Sequence, residues 1–241
     1  MSNPQGSNEA PRGIVFLDSC CLIPVIELRP WTLTHNVVLP ESSVIDAPLE
    51  WDEFWSKMLN RTGFGHLTPI RSGSWHFRTS LFTESDLTVI LPAIFDEYSE
   101  SIEAEEPDES GALYGGMALC DENGGVLIEP TCCADLRNIN SWNEAADYRK
   151  STWQQVWIGH PWVSVKYEEP RLVFSDLHEH QDPVARWSIC PEDLRFAIDQ
   201  AEKELFQFSD KIGNSLRNIE YDGDVNVLSK NLAGVGDLRI S

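Results

Sequence analysis

The sequence predicts an α+β fold in which short, mostly antiparallel strands pack against a long C-terminal helix and a few shorter helices. Three observations lead there. From Pro191, a natural first helical position, Leu194, Ala197, Ile198, Ala201, Leu205, Phe208 and Ile212 hold one apolar face for about five to six turns. Two pairs of β-rich runs are joined by turn signals, Asp121-Glu122-Asn123-Gly124-Gly125 in one and Glu168-Glu169-Pro170 in the other. The chain has 241 residues, of which 41% are hydrophobic, and no internal repeat. That is enough to bury a sizeable core, and it argues against solenoids and propellers.

Taken in order, residues 1–12 read as a mobile tail, residues 13–220 as one α+β domain and residues 221–241 as a loosely held tail rich in Gly, Asp and Asn. Gly13–Leu17 reads as a short strand and Val37–Leu39 as a weaker one, with Pro24, Pro30 and Pro40 breaking anything longer between them. Trp51, Phe54, Trp55, Met58 and Leu59 share one helical face that ends before Gly63. Trp75, Phe77 and Thr79 alternate as in a strand. The apolar run from Leu87 continues into an acidic stretch read as a solvated loop or helix end, stopped by Pro107 and Gly111. Strands follow at Leu113–Leu119 and Val126–Glu129. Ser141–Lys150 reads as a short helix with Ser141 as N-cap and Glu144 in capping-box register. Trp162–Tyr167 and Arg171–Phe174 form the second strand pair. Gly213 or Asn214 is a candidate stop for the long helix, although Leu216 can continue its stripe.

Charge excludes several functions. With 18 Lys+Arg against 39 Asp+Glu, the net charge is −21, a field that repels nucleic-acid phosphates and anionic membrane surfaces. No secretory signal or membrane-length apolar stretch is visible, which points to a cytoplasmic protein. Six cysteines, two pairs of them adjacent, do not make a disulfide scaffold, and reduced, buried thiols are expected. The charge is also patterned. Between Arg78 and Arg137 there are fourteen acids and no Lys or Arg. Such a block can steer a basic partner into contact, although acids also serve solubility. Asp96, Glu97, Glu100, Glu103, Glu105 and Glu106 are the candidate partner-binding residues. Calcium-loop spacing is missing from the acidic turns, so no metal or other cofactor is expected there.

Three further clusters carry possible chemistry. In Asp176-Leu177-His178-Glu179-His180-Gln181-Asp182 an extended backbone puts His178 and His180 on one side, able to share a metal with Asp176 or Asp182. A polar turn with both histidines solvated explains the same residues. Cys132 and Cys133 make a nucleophile only if His160 approaches, with Asp135 to orient it. Their neighbours are acids that raise a thiol pKa, and buried free cysteines beside a strand end are the simpler reading. Trp153, Trp157 and Trp162 fall within ten residues. Trp153 and Trp157 sit one helical turn apart, with Gly159 ending that turn, and core packing competes here with an aromatic recognition wall. No nucleophile elbow, phosphate loop or dinucleotide fingerprint occurs, so no catalytic residue is assigned.

The runs Leu113-Tyr114-Gly115-Gly116, Glu129–Leu136 and Trp157–Trp162, together with Trp142, resemble a family of uncharacterised bacterial proteins over about residues 113–215. The resemblance carries no catalytic role. It implies a bacterial cytoplasmic setting, in which small acidic proteins are often immunity partners of secreted toxins. The expected function is therefore an immunity or antitoxin-type inhibitor that occludes a basic partner protein, possible targets including a toxin. The alternatives are a hydrolase built on the His/Asp or Cys/His groups, and a structural subunit of a bacterial assembly.

Overall fold

The computed structural model describes residues 13–34, 37–101, 111–236 and 238, apart from the side chains of 97–101. It has about 40% helix and 23% strand, an α+β fold. A five-stranded sheet has the order β1-β9-β8-β7-β6, and a four-stranded sheet the order β3-β2-β4-β5. The first holds β1 (Val15–Phe16), β6 (Gln154–Val156), β7 (Val163–Glu168), β8 (Arg171–Ser175) and β9 (Ala185–Ile189). The second holds β2 (Cys20–Glu27), β3 (His76–Arg78), β4 (Gly115–Asp121) and β5 (Val126–Ile128). All pairings are antiparallel except β1 on β9. Arg171 secures that parallel edge by donating to the carbonyl oxygens of Leu17 (2.7 Å) and Ser188 (2.9 Å).

The helices are α1 (Pro30–Leu33), α2 (Pro48–Thr62), α3 (Glu84–Ser101), α4 (Ile139–Asp147), α5 (Pro191–Asn218) and α6 (Val225–Leu232). α5 packs against β2, α3, α4 and α6, and its predicted stripe from Leu194 to Ile212 is buried. One apolar cluster runs from Leu17 to Val235 and joins both sheets to these helices. A second, smaller cluster of Ile23, Val25, Ala118 and Cys120 lies on the opposite face of the four-stranded sheet. The alternation along β2 and β4 produces both faces, since neighbouring residues in a strand point to opposite sides.

Several expectations are corrected. β2 runs through Pro24. β3 pairs with β2 only from Val25 to Glu27, and the Glu27 amide donates to Tyr114 O, which places the Pro24 nitrogen on the side facing away from β4. No ladder bond is lost there. Val37–Leu39 is not a strand. Of the two readings of the acidic stretch after Leu87, the helix end holds as far as Ser101, with Pro92 inside the helix. α4 begins earlier than expected: Asn138 is its N-cap residue and Ser141 lies within the helix. Trp153 and Trp157 do not share a helical turn. They flank β6, which pairs with β7, because Gln154, Gln155 and Val156 alternate as a sheet edge requires. α5 continues past Gly213 to Asn218.

The segment 221–241 is not loosely held throughout. Asp224 caps α6 by accepting from the Asn226 and Val227 amides (2.9 and 3.1 Å), and Leu228, Leu232, Ala233 and Val235 are buried. The expected tail at 1–12 lies outside the described residues. No helix among the described residues is long and apolar enough to cross a membrane.

Candidate functional site

The acidic block divides by task. Thr83 and Asp86 form a reciprocal cap at the start of α3: the Thr83 amide and hydroxyl donate to Asp86 Oδ2 (2.7 Å each), and the Asp86 amide donates to Thr83 Oγ1 (3.2 Å). His66 Nε2 lies 2.9 Å from the same carboxylate. Glu84 accepts from Asn214 on α5 (2.6 Å). Asp121 closes the β4–β5 turn by accepting from the Asn123 and Gly125 amides (2.9 and 2.8 Å). Asp135 accepts from the Arg137 amide and pairs with its guanidinium (2.6 Å). Glu129 is the fifth acid with a folding role.

The candidate partner-binding residues are other members of the block. Asp96 is exposed on α3, and Glu97 and Glu100 fall in the same helix. Glu103, Glu105 and Glu106 lie outside the described residues. Asp96, Glu97 and Glu100 occupy the last two turns of α3, where no basic residue occurs. The macrodipole disfavours negative charge at that end of a helix, by about 0.3–1 kcal/mol per group at low salt where the group sits in the final turn. Acids there are held against local helix stability.

Glu129 follows β5 and is reached by residues distant in sequence. His76 Nδ1 lies 2.9 Å from its carboxylate, Arg71 Nε donates at 2.5 Å, and the Ser74 hydroxyl donates to the same group. Burial pushes the Glu129 carboxyl up. The hydrogen bond and charge of His76, with help from Ser74 and Arg71, more than offset this and hold it below the usual carboxylate range. The cluster fixes the 71–76 strap to the β5 end, and no spacing in the sequence announces it. Glu129→Ala is expected to cost about 2 kcal/mol in urea unfolding, because it strands the half-buried His76 and the buried Ser74. Because the folded pKa is depressed, the carboxylate's contribution is complete above the ordinary range near 4.5. It is lost as the pH falls through the lower folded value. The stability difference between wild type and Glu129→Ala should therefore be larger at neutral pH than in acid.

The two candidate chemical clusters meet in one corner. Isolated bridges join Cys132 to His160 and Trp162 to His178. The Cys132 thiol donates to the His160 carbonyl oxygen (3.0 Å), while the His160 ring turns its Nδ1 to Glu179 (3.2 Å). A nucleophilic pair needs the thiol on the ring nitrogen, and here it sits on the main chain. Asp135, the expected orienting group, is engaged with Arg137. Trp162 lies between the two imidazoles, with ring centroids 4.9 Å from His160 and 6.1 Å from His178. His178 Nε2 lies 2.9 Å from Ser164 Oγ, and burial lowers the pKa of that imidazole. His180 is exposed, so the two histidines do not converge on one point. Among the described residues no three His, Cys, Asp or Glu side chains gather to hold a metal ion.

The thiols are free, but not all are buried. Cys132 and Cys133 are exposed, Cys20, Cys21 and Cys190 are half-buried, and only Cys120 is fully covered. Hydrogen bonding with Cys132 raises the Cys133 pKa, which works against a nucleophilic role. Of the clustered tryptophans, Trp157 is 42% exposed. Trp153 is half-buried, with the Lys166 ammonium 4.7 Å from its ring centroid. They form no continuous wall.

The chain matches no family model, no curated protein and no solved structure.

Proposed function

We propose that this protein is an acidic binding protein, an immunity or antitoxin-type inhibitor that occludes a basic partner by stoichiometric binding. The observation that carries the reading is the placement of charge. Among the described residues five of the fourteen acids between Arg78 and Arg137 have the folding roles given above, and eight of the fourteen are concentrated between residues 96 and 109 with no Lys or Arg among them. Where that run begins, at the C-terminal end of α3, local helix energetics favour the opposite sign. Negative charge concentrated there raises the encounter rate with a basic surface, and apolar contacts made after docking set the off-rate. The bacterial cytoplasmic setting belongs to the same proposal and follows from the resemblance over about residues 113–215.

The test is a pull-down from a bacterial lysate with the tagged full chain at low ionic strength, repeated at about 0.5 M salt, where the Debye length has shrunk to a few ångströms. The expected result is one basic protein recovered near one-to-one and released by salt. Recovery that is indifferent to salt, or recovery of no basic protein, would overturn the reading.

A further inference from the structure

The antiparallel register of β2 and β4 sets Cys21 directly opposite Cys120. Both belong to the face of the sheet that carries Ile23, Val25 and Ala118, away from α5. By the alternation that turns the Pro24 nitrogen away from β4, Cys21 and Cys120 form a hydrogen-bonded pair of the ladder, whose Cα atoms lie about 5.5 Å apart, inside the window of about 4.4–6.8 Å that a disulfide spans. The Cys21 sulfur lies 4.0 Å from the carbonyl oxygen of Asp121, the residue next to Cys120. Exposure is unequal: Cys21 is half-buried and Cys120 fully buried, so Cys21 is the sulfur a solute can meet.

We propose that Cys21 and Cys120 form a redox-modification site, oxidised by a hydroperoxide to a cross-strand disulfide between β2 and β4. The Cys21 thiolate attacks a peroxide oxygen, the O–O bond breaks, and the departing hydroxide or alkoxide takes a proton to leave as water or an alcohol. Cys21 is then a sulfenic acid. The Cys120 sulfur, giving up its proton, attacks the Cys21 sulfur; the S–S bond forms, the S–O bond breaks, and water leaves. The pair loses two electrons to the peroxide, and a thiol reductant such as glutathione restores it.

The surroundings divide the roles in the same way. A hydrogen bond from Cys120 stabilises the Cys21 thiolate. Burial opposes it, nearby Arg78 adds to it and Asp121 opposes it, leaving the Cys21 thiol lowered to about 7. The same hydrogen bond, with burial, pushes Cys120 up. It therefore waits as the protonated resolving thiol. The other cysteines are less suited. Cys20 points to the α5 side, where burial and Asp193 push it up to about 12. Cys132 and Cys133 are adjacent, and neighbouring Cα atoms across a trans peptide are about 3.8 Å apart, short of the disulfide window.

The test uses the full chain with Cys20, Cys132, Cys133 and Cys190 replaced by serine, treated with hydrogen peroxide near neutral pH. The expected result is loss of both free thiols and of two hydrogens in intact mass, reversed by a thiol reductant. In that background Cys120→Ser should stop at a sulfenic acid on Cys21, trapped by a dimedone-type nucleophile. Peptide mapping of oxidised wild-type chain should give a Cys21–Cys120 cross-link, which covers the case where the multiple variant folds poorly. Two free thiols surviving peroxide that oxidises glutathione under the same conditions would overturn the proposal. So would a wild-type map that places the disulfide elsewhere.

Discussion

Replacing Asp96, Glu97, Glu100 and Glu103 with lysine is expected to slow association with a basic partner by about 10- to 100-fold at low ionic strength. The melting temperature should stay level or rise slightly. The two effects have opposite signs for one reason. The first three residues lie in the last two turns of α3, where cations complement the macrodipole and acids oppose it. A protein that keeps acids in that place accepts a small loss of helix stability, and a functional demand on the charge explains why. Surface plasmon resonance against the recovered partner, with a thermal melt of the same samples, checks both halves. A variant that binds normally yet melts higher would show that the acids serve neither steering nor stability.

Trp142→Ala is expected to cost about 3–5 kcal/mol in urea unfolding, which at this chain length lowers the melting temperature by about 10 °C. Trp142 on α4 is fully buried, and its ring centroid lies 5.6 Å from that of Phe174 on β8. It therefore holds α4 against the five-stranded sheet, and truncating it opens a cavity in a close-packed core. Its indole N–H has no protein acceptor among the described residues, so Trp142→Phe should cost much less than the lost volume alone suggests. Trp157→Ala, at an exposed position, is the control and should change stability by no more than about 0.5 kcal/mol.

These contrasts follow how much the sequence makes legible. α5 and α2 are readable because their apolar residues recur at helical spacing, and because Gly63 takes the left-handed conformation that ends α2 (φ 88°). The β4–β5 hairpin is readable from Asn123-Gly124 between two apolar runs. β6 is not, because Trp153 and Trp157 fit a helical turn as well as they fit the edges of a strand. Pairing with β7 decides it, and pairing is a tertiary fact. Pro24 suggests a break, yet its ring nitrogen faces away from β4 and no ladder bond is lost. α6 hides in a Gly- and Asp-rich segment because Leu228 and Leu232 are its only apolar side chains that are fully buried.

The candidate site divides the same way. Acid density is visible in composition, but which acids are spent on folding is not. The Thr83-x-x-Asp86 cap has a sequence signature. Glu129 has none, because His76, Ser74 and Arg71 reach it from more than fifty residues away. His160 does come to Cys132, as the Cys/His reading needs, but through its carbonyl oxygen and not its ring. Cys21 faces Cys120 only through the β2–β4 register.

The most direct test of the acidic-binding account is the association rate of the full chain with its recovered basic partner, measured by stopped flow across a range of salt concentrations. The account predicts a rate that falls steeply as salt rises, and a shallow dependence once Asp96, Glu97, Glu100 and Glu103 are lysine. An equally steep dependence in both proteins would contradict it, because the charge that guides the partner would then lie elsewhere on the molecule.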